Sequence, residues 1–337
     1  MVELYTSWCK GLAQSKQALD ILKACPFITG IETLNSGGEL GLFQKAGLKV
    51  SVHNPIKMIN CGLNDGRLVS ELKKKKNAYV LDSVRKADAG TAGFHAYNKM
   101  LPVELHVMKN KPLPEGIFEK ESLEQIRNNI VKNLVFLERE INKNNSNYNR
   151  KLNGKKILFE TQPYTNFSKL KNSANKIGER EMMILRKAGM MSTPKFLASI
   201  LNNKQIKGNN NMGFLFDISH VFISVKTMIE NKELNEELEA YIKKVIDASK
   251  GSVYQLHIAC PTTLAKGVYV DDQAELKKGE CMSKQVLSIA KQVLQANPGV
   301  VSIALEIDTH LNPVAHAKKL VEQAEMVANE LGLKVEK

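Results

Sequence analysis

Short apolar runs alternate with segments of helical period along the whole chain. Eight runs read as strands: Val2–Ser7, Gly30–Leu34, Lys49–His53, Thr91–His95, Lys156–Thr161, Gly213–Ser219, Val253–Ala259 and Ser302–Asp308. Most are almost continuously apolar, as parallel strands covered on both faces should be. Between them, Gln14–Ala24, Glu39–Ala46, Leu68–Ala87, Ser122–Ile141, Ser173–Leu201, Glu233–Ser249, Ser283–Gln295 and Pro313–Leu331 carry the spacing of amphipathic helices. Their ends are punctuated. Gly47 follows the second helix, Asn297-Pro298-Gly299 closes the seventh, and Asn312-Pro313 opens the last with proline in the first turn.

Eight strand-then-helix units predict a single (β/α)8 TIM barrel covering residues 1–337. The chain exceeds the ~250 residues typical of that fold. The surplus falls in polar stretches, at about 100–120, 142–155 and 202–211, which read as loop insertions. A Rossmann-type open sheet is the main structural alternative, but no GxGxxG follows the first strand.

Composition changes this picture little. Hydrophobic residues make up 43% and charged residues 25%, ordinary for a globular protein. No apolar run reaches the ~18 residues of a membrane span, and the first residues lack a signal-peptide pattern. Five cysteines without CxxC spacing argue against a disulfide scaffold or a zinc knot and fit a cytoplasmic protein. The net charge of +13 admits nucleic acid as a partner. A compositional bias towards lysine and asparagine explains it equally well, and Lys73 to Lys76 read as a solvated helix face.

Candidate chemistry lies where the strands end. In a (β/α)8 barrel the active site sits at the C-terminal ends of the strands. There this sequence places Glu32, His53, His95, Glu160, Asp217 (with His220 three residues on), His257, Glu306 and Asp308. Four of the seven histidines thus fall beside acids in the same register. Imidazoles and carboxylates are the usual ligands of zinc, iron and manganese. Carboxylates buried at the end of an apolar strand need something to neutralise them. A single catalytic ion takes about three protein ligands. This larger set predicts two or three divalent ions bridged by a carboxylate such as Glu160. His106 reads as part of a loop insertion, His310 and His316 as surface or capping residues, and Cys260 as a small buried residue.

Taken together, His53, His95, Glu160, Asp217-x-x-His220, His257 and Glu306 resemble the ligand pattern of the xylose-isomerase-like barrel superfamily. That group includes endonuclease IV, sugar isomerases and epimerases, and the multinuclear non-heme iron-dependent oxidative enzymes of the methanobactin-oxygenase type. Two stretches are most similar to the last of these. One is Met191-Ser192-Thr193-Pro194-Lys195-Phe196-Leu197 followed by Gly213 to Ser224. The other is Leu305-Glu306-Ile307-Asp308-Thr309 with Asn312-Pro313.

The resemblance implies an iron cluster that activates dioxygen and oxidises a side chain of a peptide, often with a helper protein. Carried over, His53, His95 and Glu160 would hold one iron, and Glu160, Asp217, His257 and Glu306 a second. His220, one acid of the pair Asp271-Asp272, and Asp308 would hold a third. Glu160, Asp217 and His257 would form the catalytic core. Iron is the favoured metal, with zinc or manganese as alternatives. The family often carries a histidine after the seventh strand where this chain has Gln273, which puts the third ion in doubt.

The runner-up is a zinc-dependent endonuclease IV-like enzyme acting on DNA. His53-Asn54-Pro55-Ile56-Lys57-Met58-Ile59-Asn60 approaches that family's first ligand motif, but its Asp-Arg-His motif is absent. A sugar isomerase or epimerase, with one metal and a proton-moving carboxylate, is the further alternative. The non-enzymatic reading is a barrel that binds a partner or DNA through its lysines.

Overall fold

The computed structural model describes residues 2–33, 39–113, 121–143, 154–167, 177–309 and 311–334. Eight strands close into a parallel barrel: β1 (Glu3–Ser7), β2 (Gly30–Thr33), β3 (Lys49–His53), β4 (Thr91–His95), β5 (Lys156–Glu160), β6 (Met212–Asp217), β7 (Val253–Ile258) and, after a hairpin, β10 (Ser302–Leu305). The hairpin, β8 (Cys260–Ala265) and β9 (Val268–Ala274), is antiparallel and separate from the barrel. Its two-residue turn is Lys266-Gly267, where Gly267 takes a left-handed φ of 74°. The chain is a single (β/α)8 TIM barrel, as its alternating pattern predicts.

Period two along each strand decides what lies inside. Outward positions such as Ile31, Val50, Val52, Phe94, Phe159, Phe216, Leu256 and Ile303 pack under the helices in one continuous core. The alternate positions face the barrel axis, and Glu32, Ser51, Gln255 and His257 are buried there. Register aligns the ends. Glu32 pairs with Ser51, His95 with Glu160, Asp217 with His257. The acids and imidazoles therefore gather at one mouth.

Five expectations need correction. Helix Met100–Lys109 stands where a loop insertion was expected, so His106 is helical. Its Pro102 lies in the first turn, where no backbone donor is lost. Helix Ile218–Glu230 falls in a stretch with no predicted helix. Ten of its 13 residues are buried, so it is covered on nearly every side and its period is hidden. The last strand ends at Leu305, leaving Glu306 and Asp308 beyond it. His316 is buried in helix Pro313–Leu331 and bonded to Thr309, not on the surface. The predicted helix 68–87 is broken into Leu68–Leu72, a short 3-10 turn and Ala78–Lys86.

A helical turn, Lys204–Lys207, interrupts the third expected insertion. Most of the second, and the later part of the first, lie outside the described residues, as does His310. Lys73 to Lys76 are exposed and Cys260 is buried, as expected. Among the described residues no helix is long and apolar enough to cross a membrane.

Candidate metal centre

The floor of the barrel mouth is a continuous cluster of acids and imidazoles. His53 ends β3 with its ring between two carboxylates: Nε2 is 2.6 Å from Glu160 Oε2, and Nδ1 is 3.0 Å from Glu306 Oε1. His95, at the end of β4, brings Nε2 to 3.3 Å from the same Glu160 oxygen. Across the mouth, His257 Nδ1 faces oxygens of Glu306 at 3.2 Å, Asp217 at 3.7 Å and Glu160 at 3.8 Å. Asp217 also caps helix Ile218–Glu230, accepting from the His220 backbone at 2.7 Å. That cap turns His220 back towards the floor. There its Nδ1 donates to the Thr161 carbonyl at 2.7 Å, and its Nε2 lies 3.1 Å from Asp271.

Among the described residues, three groups of donors lie close enough to share an ion. They are His53, His95 and Glu160; Glu160, Asp217 and His257; and Glu32, His53, His257 and Glu306. Glu160 belongs to two of these groups, which makes it the natural bridge. A second observation supports the fit. Glu160 Oε1, Asp217 Oδ2 and His257 Nδ1 are buried without a hydrogen bond. Buried polar atoms are rarely left unpaired. These three atoms, one per residue of a single donor group, match the nitrogen and oxygen ligands of a divalent ion.

Electrostatics follows from the crowding. Burial alone would raise Glu160, but His53 and His95 hold it well below the usual carboxylate range. Glu306 is likewise held low by His257 and His53. Asp217 goes the other way: burial pushes it up to about 6, although His220 and His257 oppose the rise. Burial would lower His53, yet Glu160 and Glu306 lift it to about 10. Burial dominates at His95 and takes it down to about 4, leaving it neutral and ready to ligate.

The structure thus brings His53, His95, Glu160, Asp217, His257 and Glu306 into one cluster, with His220 at its edge. Asp271 faces His220 and accepts from Ser219 at 2.6 Å, while Asp272 is exposed. Asp308 is exposed; its backbone N–H bonds the Gln273 carbonyl, and it belongs to none of the three donor groups. Sequence reasoning passed over Glu32 as a partner of His257. Its place on the inward register of β2 is the signal that would have found it.

Above the floor opens a cavity of about 810 Å3. Its walls are rich in side-chain amides, those of Asn54, Asn60, Asn64, Asn98, Gln162 and Gln273, and Trp8 is among the lining residues.

The sequence matches no family model and no curated protein. The fold does match solved structures. D-psicose 3-epimerase, solved in the presence of D-fructose, shares 13% identity at a TM-score of 0.52, covering 98% of this chain and 100% of that one. The IolI protein with a bound zinc atom gives 13% and 0.52, with 98% of each chain covered. A xylose isomerase-like TIM barrel protein from Mycobacterium smegmatis, in complex with magnesium, gives 10% and 0.52, again with 98% of each covered. These likenesses show a shared TIM-barrel fold.

Proposed function

We propose that this protein is a metal-dependent enzyme that isomerises or epimerises a small polyhydroxylated carbonyl compound. The observation that carries this reading is the placement of Glu160 and Glu306 on the two nitrogens of one ring, His53, at the floor of an amide-rich cavity. Glu160, Asp217, His257 and Glu306 would hold the ion, which supplies polarisation of a carbonyl and its neighbouring hydroxyl.

The chain's own residues do the rest. Moving a proton beside a carbonyl needs a carboxylate near the carbon, and inversion needs one on each face. Glu306, which lines the cavity, would be one such carboxylate, and Glu160, on the far side of the His53 ring, would be the other. Side-chain amides each present a donor and an acceptor, which suits a row of hydroxyl groups, and Trp8 offers a flat surface to the C–H face of a sugar. The epimerase fold of the D-psicose enzyme supports the same reading. Iron and an oxidative activity receive no such support.

The test is solvent exchange. Metal-loaded protein is incubated in D2O with a panel of ketoses and aldoses, and deuterium beside the carbonyl is followed by NMR. Exchange with one substrate, lost in the Glu306→Gln variant, is the expected result. No exchange across the panel by protein with a full complement of metal would overturn the reading.

One observation favours a second reading. The group His53, His95 and Glu160 provides a further ion site that a one-metal isomerase does not need. Two ions sharing Glu160 suit the oxidation of a peptide side chain with iron and dioxygen. Elemental analysis of protein purified without oxygen, followed by oxygen-uptake measurements, separates the two.

A further inference from the structure

Among the described residues five non-glycine residues take a left-handed backbone, and three of them, Asn54, Asn60 and Gln273, line the cavity. Asparagine tolerates that conformation; glutamine rarely adopts it. Gln273 holds a φ of 47° where β9 carries a bulge. Cys260 pairs with Ala274 and Thr262 with Val270, so two steps along β8 are matched by four along β9. The surplus falls on residues 271–273. This bulge is pinned on both sides. Asp271 accepts from Ser219 Oγ at 2.6 Å and faces His220 Nε2 at 3.1 Å, and the Gln273 carbonyl accepts from the Asp308 N–H at 3.0 Å. Bulges recur beside active sites, where they re-aim a side chain.

The place of Gln273 on the ring is as telling as its backbone. Strands β3 and β7 stand opposite each other, with three strands between them either way round. Asn54, Asn60 and Asn64 follow β3, whereas Gln273 comes from the hairpin that follows β7. Among the described residues it is the one side-chain amide that lines the half of the cavity built after β7, β10 and β1. Asn54 Oδ1 accepts from the His95 backbone at 3.2 Å, and Asn64 Oδ1 from that of Asn98 at 3.1 Å. Among the described residues no group of the protein bonds the Gln273 amide.

We propose that Gln273 is a specificity-determining residue, whose amide hydrogen-bonds a substrate hydroxyl beyond the two oxygens beside the ion. A polyol lying across the floor then meets amides at both ends, from the loop after β3 and from Gln273. A primary amide offers both a donor and an acceptor, so it serves a hydroxyl in either orientation. A substrate without that hydroxyl leaves the amide unpartnered, which is how such a site rejects an analogue. The strained backbone is retained because it aims this one side chain. The inference rests on the isomerase or epimerase reading above.

The experiment follows deuterium exchange by metal-loaded full-length protein, with the sugars of the panel and their singly deoxygenated forms as probes. Wild-type protein exchanges a parent sugar and disfavours one form deoxygenated away from the carbonyl. In Gln273→Gly the KM for the parent rises roughly 3- to 10-fold, the net worth of one neutral hydrogen bond. Its kcat stays level and the deoxygenated form is handled as before, so the preference disappears. Glycine accepts a left-handed backbone freely, so the urea midpoint does not fall. Equal losses on parent and deoxygenated sugars would give Gln273 a structural role and overturn the proposal. So would a glycine variant that keeps the wild-type preference. Should that variant not fold, Gln273→Asn decides: its shorter amide must raise KM for the parent alone, and an equal rise for both sugars overturns the assignment. Wild-type protein that exchanges no sugar removes the isomerase reading and this inference together, a failure visible before any variant is made.

Discussion

His53 Nε2 lies 2.6 Å from Glu160 Oε2, although 107 positions separate the two residues in the chain. This contact joins β3 to β5 across the end of β4, so the floor of the mouth is also part of what holds three strands in place. Its chemical role and its structural role are therefore separable only by experiment with and without metal.

Replacing Glu160 with Gln removes the one carboxylate that serves two donor groups. Metal content falls at both groups, as elemental analysis would show. The metal-free variant also loses about 3–5 kcal/mol, the usual cost of breaking a buried ion pair from one side. Urea unfolding at neutral pH measures it. A variant that keeps its full metal content would contradict the bridging role.

His95 takes part only in the group with His53 and Glu160. His95→Ala should therefore lower the metal stoichiometry by one ion and leave the ion of Glu160, Asp217 and His257 in place. Proton exchange at carbon survives this change if one ion suffices for the chemistry. An oxidation that needs two ions does not survive it.

Metal affinity should rise with pH. His53 is lifted to about 10 by Glu160 and Glu306 against the effect of burial, so an incoming ion must displace a proton. Calorimetry in buffers of different ionisation enthalpy reads that release. The metal-free protein follows the opposite trend. An imidazole whose pKa is raised on folding contributes stability that is complete below its ordinary value of 6.5 and is lost as pH climbs through about 10. Urea midpoints of metal-free protein that stay level from pH 6.5 to pH 10 would count against the geometry at His53.

Gly93 faces the barrel interior on β4. A Cβ there would lie 2.4 Å from Leu215 Cδ1 and 3.5 Å from the His53 ring. Gly93→Ala should cost about 1–3 kcal/mol as Leu215 is forced aside. Chemical denaturation gives the stability. A spectral change in bound cobalt would show that the crowding reaches His53.

Much of this was legible in the sequence because two periodicities coincide. Strands such as Lys49–His53 and Thr91–His95 are short apolar runs ended by a histidine, and both bounds match the structure. A polar residue closing an apolar strand is visible without coordinates. Glu32 was harder to place, because its partner His257 lies across the barrel and only closure brings them together. Helix Ile218–Glu230 was hidden for another reason: burial on all sides erases the alternation by which a helix is recognised. The outlying position of Asp308 follows from β10 ending three residues earlier than its apolar run suggests, at Leu305.

The barrel closes where β1 meets β10, with Glu3 beside Ser302 and Thr6 beside Leu305. Glu306 follows directly, its backbone N–H on the Ile258 carbonyl of β7, and its contact with His53 of β3 spans this seam. Bound metal would thus act as a latch on the finished ring, stabilising only molecules whose first and last strands have met.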